Sequence, residues 1–90
     1  GGRMKLQIDN KYKIVSDSRQ YILQEKKKKK QEDGKIEEYE VNVGYYGTIY
    51  NALKAYKEVQ IRNSNVSTID ELLKLIKELD GKIEKLLGGN

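Results

Sequence analysis

The sequence has no cysteine, no histidine and no proline, and all seven of its aromatic residues are tyrosine. Without cysteine there is no disulfide framework, and without histidine as well the usual ligand sets for zinc, haem and iron–sulfur clusters are missing. Thiol and imidazole chemistry go with them, leaving Asp, Glu, Lys, Tyr, Ser and Thr for acid–base or nucleophilic roles. The composition therefore points to a protein that binds and does not catalyse, with no cofactor and no metal. The lack of proline fits a compact domain free of a rigid linker. No run of about 20 apolar residues occurs, and the N-terminus lacks the charged-then-apolar order of a signal peptide, so a cytoplasmic protein with no membrane partner is expected.

The 90 residues suffice for one domain, and at this size only about 60% of the unfolded chain's surface is buried. Apolar residues left over from the core therefore suggest an interface. Gly1, Gly2 and Arg3 ahead of Met4 read as an expression scar, residues 4–87 as a single α+β domain, and residues 88–90 as a flexible tail. The formal charge of +4 comes from 18 basic and 14 acidic residues, and five of the basic ones are Lys26, Lys27, Lys28, Lys29 and Lys30. Setting those five aside leaves 13 against 14, so the basicity is one local patch and not a field spread over the fold.

Met4 to Val15 reads as extended chain, with Leu6 and Ile8, then Tyr12 and Ile14, in alternation around a turn candidate at Asp9-Asn10. Ser16-Asp17-Ser18 is a second turn, because short oxygen-bearing side chains bond nearby backbone N–H groups. Gln20 to Lys26 reads as a strand. In Glu37 to Tyr46, the clearest strand signal, Tyr39, Val41, Val43 and Tyr45 fall on one face against Glu38, Glu40 and Asn42. Asp33-Gly34 between these strands supplies the positive φ of a hairpin turn, which predicts an antiparallel hairpin with the lysines at its tip.

The period changes at Thr48, a plausible N-cap. Ile49, Ala52, Leu53, Tyr56 and Val59 then line one face of a helix. Arg62 to Asn65 is a polar break, and Ser67 to Glu71 resembles a capping arrangement. A second helix follows, in which Ile69, Leu72, Ile76, Leu79, Ile83 and Leu86 keep heptad spacing. Gly81 weakens it, and a bend or fraying is expected after Asp80. The predicted architecture is α+β, a three-stranded antiparallel sheet followed by two helices that cover it (β-β-β-α-α).

Four features carry candidate chemistry, each beside a structural alternative. Gly44-Tyr45-Tyr46-Gly47-Thr48 joins a strand to a helix N-terminus, where Gly47 and Thr48 could receive an anion and Tyr45 and Tyr46 could stack on a base. Alternatively the glycines make the turn and the tyrosines pack. The lysines 26–30 could contact nucleic-acid phosphates, or form a solvated loop that discourages strand association. Seven tyrosines exceed what one small core holds, so some, Tyr45, Tyr46 and Tyr50 among them, are candidate interface anchors. The Ile69 to Leu86 helix could form a homodimeric seam or pack within the domain. Asp9, Asp17, Glu37 and Glu38 read as solvated acids.

Asp9-Asn10-Lys11-Tyr12, Ser16 to Leu23 and Gly44 to Thr48 together resemble small uncharacterised proteins of phages and prophages of Gram-positive bacteria, a domain of unknown function. The mixed insert expected in their hairpin is replaced here by the lysine run. The resemblance implies an accessory phage gene in a bacterial cytoplasm, whose product binds and inhibits a bacterial host or defence protein. Nucleic-acid binding through Lys26 to Lys30 is the second expectation, and a nucleotide-sequestering oligomer the third.

Overall fold

The computed structural model describes residues 3–88; Gly1 and Gly2 of the expected scar and Gly89 and Asn90 of the expected tail lie outside the described residues. The elements run β1 (Lys5–Gln7), β2 (Tyr12–Ser16), β3 (Tyr21–Lys30), β4 (Ile36–Tyr46), α1 (Ile49–Arg62) and α2 (Ile69–Leu86). The chain divides into two compact units, one ending at Ala52 and one beginning at Leu53.

The first unit is an antiparallel meander of four strands in the order β1-β2-β3-β4. The count corrects the three strands expected, and the cause is local. The Asp9 carboxylate accepts the backbone N–H groups of Lys11 (2.8 Å) and Tyr12 (2.7 Å), closing a tight turn that folds Met4 to Val15 into a hairpin. Asp17 does the same between β2 and β3, accepting from the backbone of Arg19 (2.8 Å) and Gln20 (2.9 Å). These two acids are turn builders rather than idle surface charges.

Residues paired across a ladder share a face. Leu6, Ile14, Leu23 and Gly44 therefore lie on one face, as do Tyr12, Glu25 and Val41. Ile8, Tyr12, Ile14 and Leu23 are buried. The opposite face carries Lys13, Gln24 and Asn42.

A bulge interrupts the alternation in β4. Leu23 pairs with Gly44 but Gln24 pairs with Asn42, so Val43 is the extra residue. Tyr39 and Val41 consequently stay on the apolar face, whereas Tyr45 passes to the polar one, where its hydroxyl accepts a hydrogen bond from the Asn42 amide at 2.9 Å. The single face expected for Tyr39, Val41, Val43 and Tyr45 is thus broken by one inserted residue.

In the second unit the buried side chains are Leu53, Tyr56 and Leu79. Lys82 donates to the Tyr56 hydroxyl at 3.0 Å, and Lys57 pairs with Asp80 at 2.7 Å, so two polar contacts join α1 to α2. Thr68 caps α2 by accepting the Glu71 N–H at 3.1 Å, while the Thr68 hydroxyl donates to the Glu71 carboxylate at 3.2 Å. The helix survives Gly81, as expected, and continues to Leu86 without fraying after Asp80. It ends at Leu87, and the positive φ of Gly88 (87°) turns the chain away.

Candidate functional site

The most exposed part of the first unit is the far half of the β3–β4 hairpin. The β2 ladder stops at Tyr12 opposite Glu25, and the last bond from β3 to that side is Lys26 N–H to Lys11 O at 2.7 Å. Beyond it β3 and β4 continue alone through Lys26–Glu40, Lys27–Tyr39, Lys28–Glu38, Lys29–Glu37 and Lys30–Ile36. At the ordinary strand rise these pairs form an arm about 17 Å long, with all ten residues exposed. The tip is Gln31 to Lys35, closed by Gln31 N–H to Lys35 O and by Gly34, whose φ of 85° is the turn conformation expected of Asp33-Gly34.

The five lysines therefore lie in a regular strand, which corrects their expected place at the hairpin tip. Alternation sends Lys26, Lys28 and Lys30 to one face and Lys27 and Lys29 to the other. Across the ladder they meet an acidic strand. Lys26 pairs with Glu38 (3.6 Å), Lys13 pairs with Glu40, and Lys11 pairs with Glu25 (3.1 Å) at the root of the arm. The salt link to Lys13 holds the Glu40 carboxyl below its usual range, and the Glu25 carboxylate raises Lys11 above the usual lysine value. The side groups of Glu37 and Gln31 also bond one another.

Two apolar groups stand on this charged arm, Ile36 at 64% exposure and Tyr39 at 43%. Tyr39 is one of the seven tyrosines too many for one small core, though not among the three singled out as anchors, and Ile36 was not anticipated as a contact residue. Their signal is a lysine block and a glutamate block equally distant from Asp33-Gly34, which predicts a paired ladder that carries Tyr39, between the glutamates, and Ile36, beside them, out into solvent.

The GYYG stretch is arranged differently from its expected binding role. Tyr45 and Tyr46 pair with Ile22 and Tyr21, adjacent positions on opposite faces, and form no common stacking surface. Tyr46 is half-buried and lies over Gly44, where a Cβ would strike the phenol ring, so this glycine makes room for an aromatic neighbour. Thr48 accepts the Asn51 N–H at 3.1 Å as the N-cap of α1, with Gly47 exposed beside it. Tyr50, in the first turn of α1, is 71% exposed. On α2, Ile69 and Leu73 are exposed, as is Leu87 just beyond it, although the heptad positions after Ile69 are half-buried or buried.

A depression of about 320 Å³ at the root of the arm is lined by Gln7, Lys11, Lys13, Lys26, Glu38 and Glu40, among others. Its charged groups are largely spent on one another, which suits a rigid base for the arm better than a reaction centre. Among the described residues no buried side-chain nitrogen or oxygen lacks a partner, and no three acidic side chains gather to hold a metal ion. No described helix is long and apolar enough to cross a membrane.

A family model matches residues 6–83, taking in the sheet, the arm, α1 and most of α2. The chain belongs to the family described as Domain of unknown function (DUF5405). No curated protein and no solved structure matches it. The matched range spans both the lysine run and the GYYG turn.

Proposed function

We propose that this DUF5405 protein is a non-enzymatic binding protein that engages another protein through the β3–β4 arm. The observation that carries the reading is the arm itself, five ladder pairs projecting past the sheet with Ile36 and Tyr39 held in solvent. An isolated two-stranded ribbon is marginally stable, and one that is rooted in a sheet and displays apolar groups is well placed to act as a contact element. From Lys26 to Glu40 it carries six lysines against five carboxylates, a near balance that suits a protein surface better than a polyanion. In our reading the protein is of phage or prophage origin and its partner a bacterial host or defence protein that it inhibits; this part rests on the resemblance of the Asp9 to Leu23 and Gly44 to Thr48 stretches alone.

Affinity capture from bacterial extract tests it, with wild-type protein and an Ile36→Ser, Tyr39→Ser variant compared. Capture of a discrete protein by the wild type alone is expected. Equal capture by both, or none by either, contradicts the reading.

Nucleic-acid binding is the second reading, and one observation favours it. Among the described residues, Lys27, Lys28, Lys29 and Lys30 hold no ion pair, which offers four ammonium groups to phosphates. Affinity for a DNA or RNA duplex should then fall steeply with salt and drop when Lys26 to Lys30 become glutamine.

A further inference from the structure

The strand order leaves β4 at an edge of the sheet, and it is the longest strand. Lys26 sends its N–H toward β2, and in an antiparallel ladder successive residues alternate sides. Lys27, Lys29 and Glu25 therefore bond β4, and their partners Tyr39, Glu37 and Val41 bond inward. It follows that Glu38, Glu40 and Asn42 turn their N–H and C=O groups to the open edge, and all three are exposed. The Val43 bulge closes this run at one end and the tip closes it at the other.

Edges of this kind are ordinarily blunted by charged side chains, lysine above all, by proline, by bulges or by shortness. Here the guard is three glutamates and the Val43 bulge, and the glutamates' charge, being of one sign, repels acidic strands but not basic ones. Between Ile36 and Asn42 β4 has no lysine and no proline, and it carries Glu37, Glu38 and Glu40. Its inner neighbour shows which strand such an edge accepts, since the segment paired to it is the lysine run of β3. A second copy of β4 fits poorly, because antiparallel self-pairings centred on the arm set Glu38 or Glu40 opposite another glutamate.

We propose that the open edge from Ile36 to Asn42 takes an added strand from its partner, an extended segment with lysine or arginine at alternate positions. The incoming main chain satisfies the outward N–H and C=O groups, and its basic side chains face Glu38 and Glu40 on the side opposite β3, sharing these carboxylates with Lys26 and Lys13, which already pair with them within the protein. This deepens the protein-binding reading of the arm and rests on it.

The test uses a blocked hexapeptide alternating lysine and valine, a glutamate–valine counterpart, and a lysine–valine peptide N-methylated on alternate residues. The lysine–valine peptide should slow amide exchange at Glu38, Glu40 and Asn42 at least about tenfold, as new hydrogen bonds require. The methylated peptide should not, and the glutamate–valine peptide should bind the E38K/E40K variant in preference to wild type. Unchanged exchange at those three amides under saturating peptide overturns strand addition, as does equal binding of the methylated peptide. If Ile36 and Tyr39 side-chain signals nevertheless shift, the arm stands as a contact element and only strand addition fails. If they stay still and the Ile36→Ser, Tyr39→Ser variant captures as well as wild type, both readings fail. Shifts at Lys27 to Lys30 produced by a DNA duplex and by no peptide overturn the proposal in favour of nucleic acid.

Discussion

Asp17 shows how much one side chain decides in a sheet this small. Its carboxylate accepts the backbone N–H groups of Arg19 and Gln20, and those bonds hold its pKa below the ordinary 3.8. Glu40 is likewise held below 4.5 by Lys13. A carboxyl whose folded pKa is depressed stabilises the fold above its unfolded value and loses that contribution as the pH falls toward the folded one. Urea midpoints should therefore fall as the pH drops from 6 through the range around 4, and Asp17→Ala should flatten that drop. Lys11, raised by its bond to Glu25, runs the other way, and its contribution fades only above about pH 10.5. In the second unit Tyr56 is 1% exposed and accepts a hydrogen bond from Lys82. Replacing Tyr56 by alanine should cost about 3–5 kcal/mol and by phenylalanine about 1 kcal/mol, measured by denaturant unfolding.

Among the elements, α2 separates capping from propensity. Thr68→Ala removes the acceptor for the Glu71 N–H and should cost about 1 kcal/mol. Gly81→Ala should instead gain up to about 1 kcal/mol, because Gly81 is helical and a Cβ there meets nothing within 4 Å. Both helices were legible from their three- and four-residue spacings and their threonine caps, and so was the turn at Gly34. The fourth strand was within reach, since Asp9-Asn10 was visible as a turn and only its tightness was missed. The bulge at Val43 was not, because an inserted residue leaves the alternating pattern intact in sequence while reversing every side chain beyond it. The lysine run was misplaced for a related reason. Five successive lysines look like a solvated loop until the acidic strand opposite supplies a register that balances them.

At the scale of the molecule, the arm from Lys26 to Glu40 is nearly balanced, six lysines against five carboxylates, and so carries only one of the four net positive charges. That balance separates the two binding readings. Converting Lys26 to Lys30 to glutamine should abolish any salt-sensitive affinity for nucleic acid, whereas removing Ile36 and Tyr39 should abolish protein capture and leave the thermal midpoint within a few degrees, as expected for exposed positions. The measurement that tests the central claim most directly is hydrogen–deuterium exchange of the protein alone and bound to the protein it captures. The account predicts protection concentrated between Lys26 and Asn42, with α2 unchanged. Protection confined to α2, or an arm that exchanges equally fast in both samples, would contradict it.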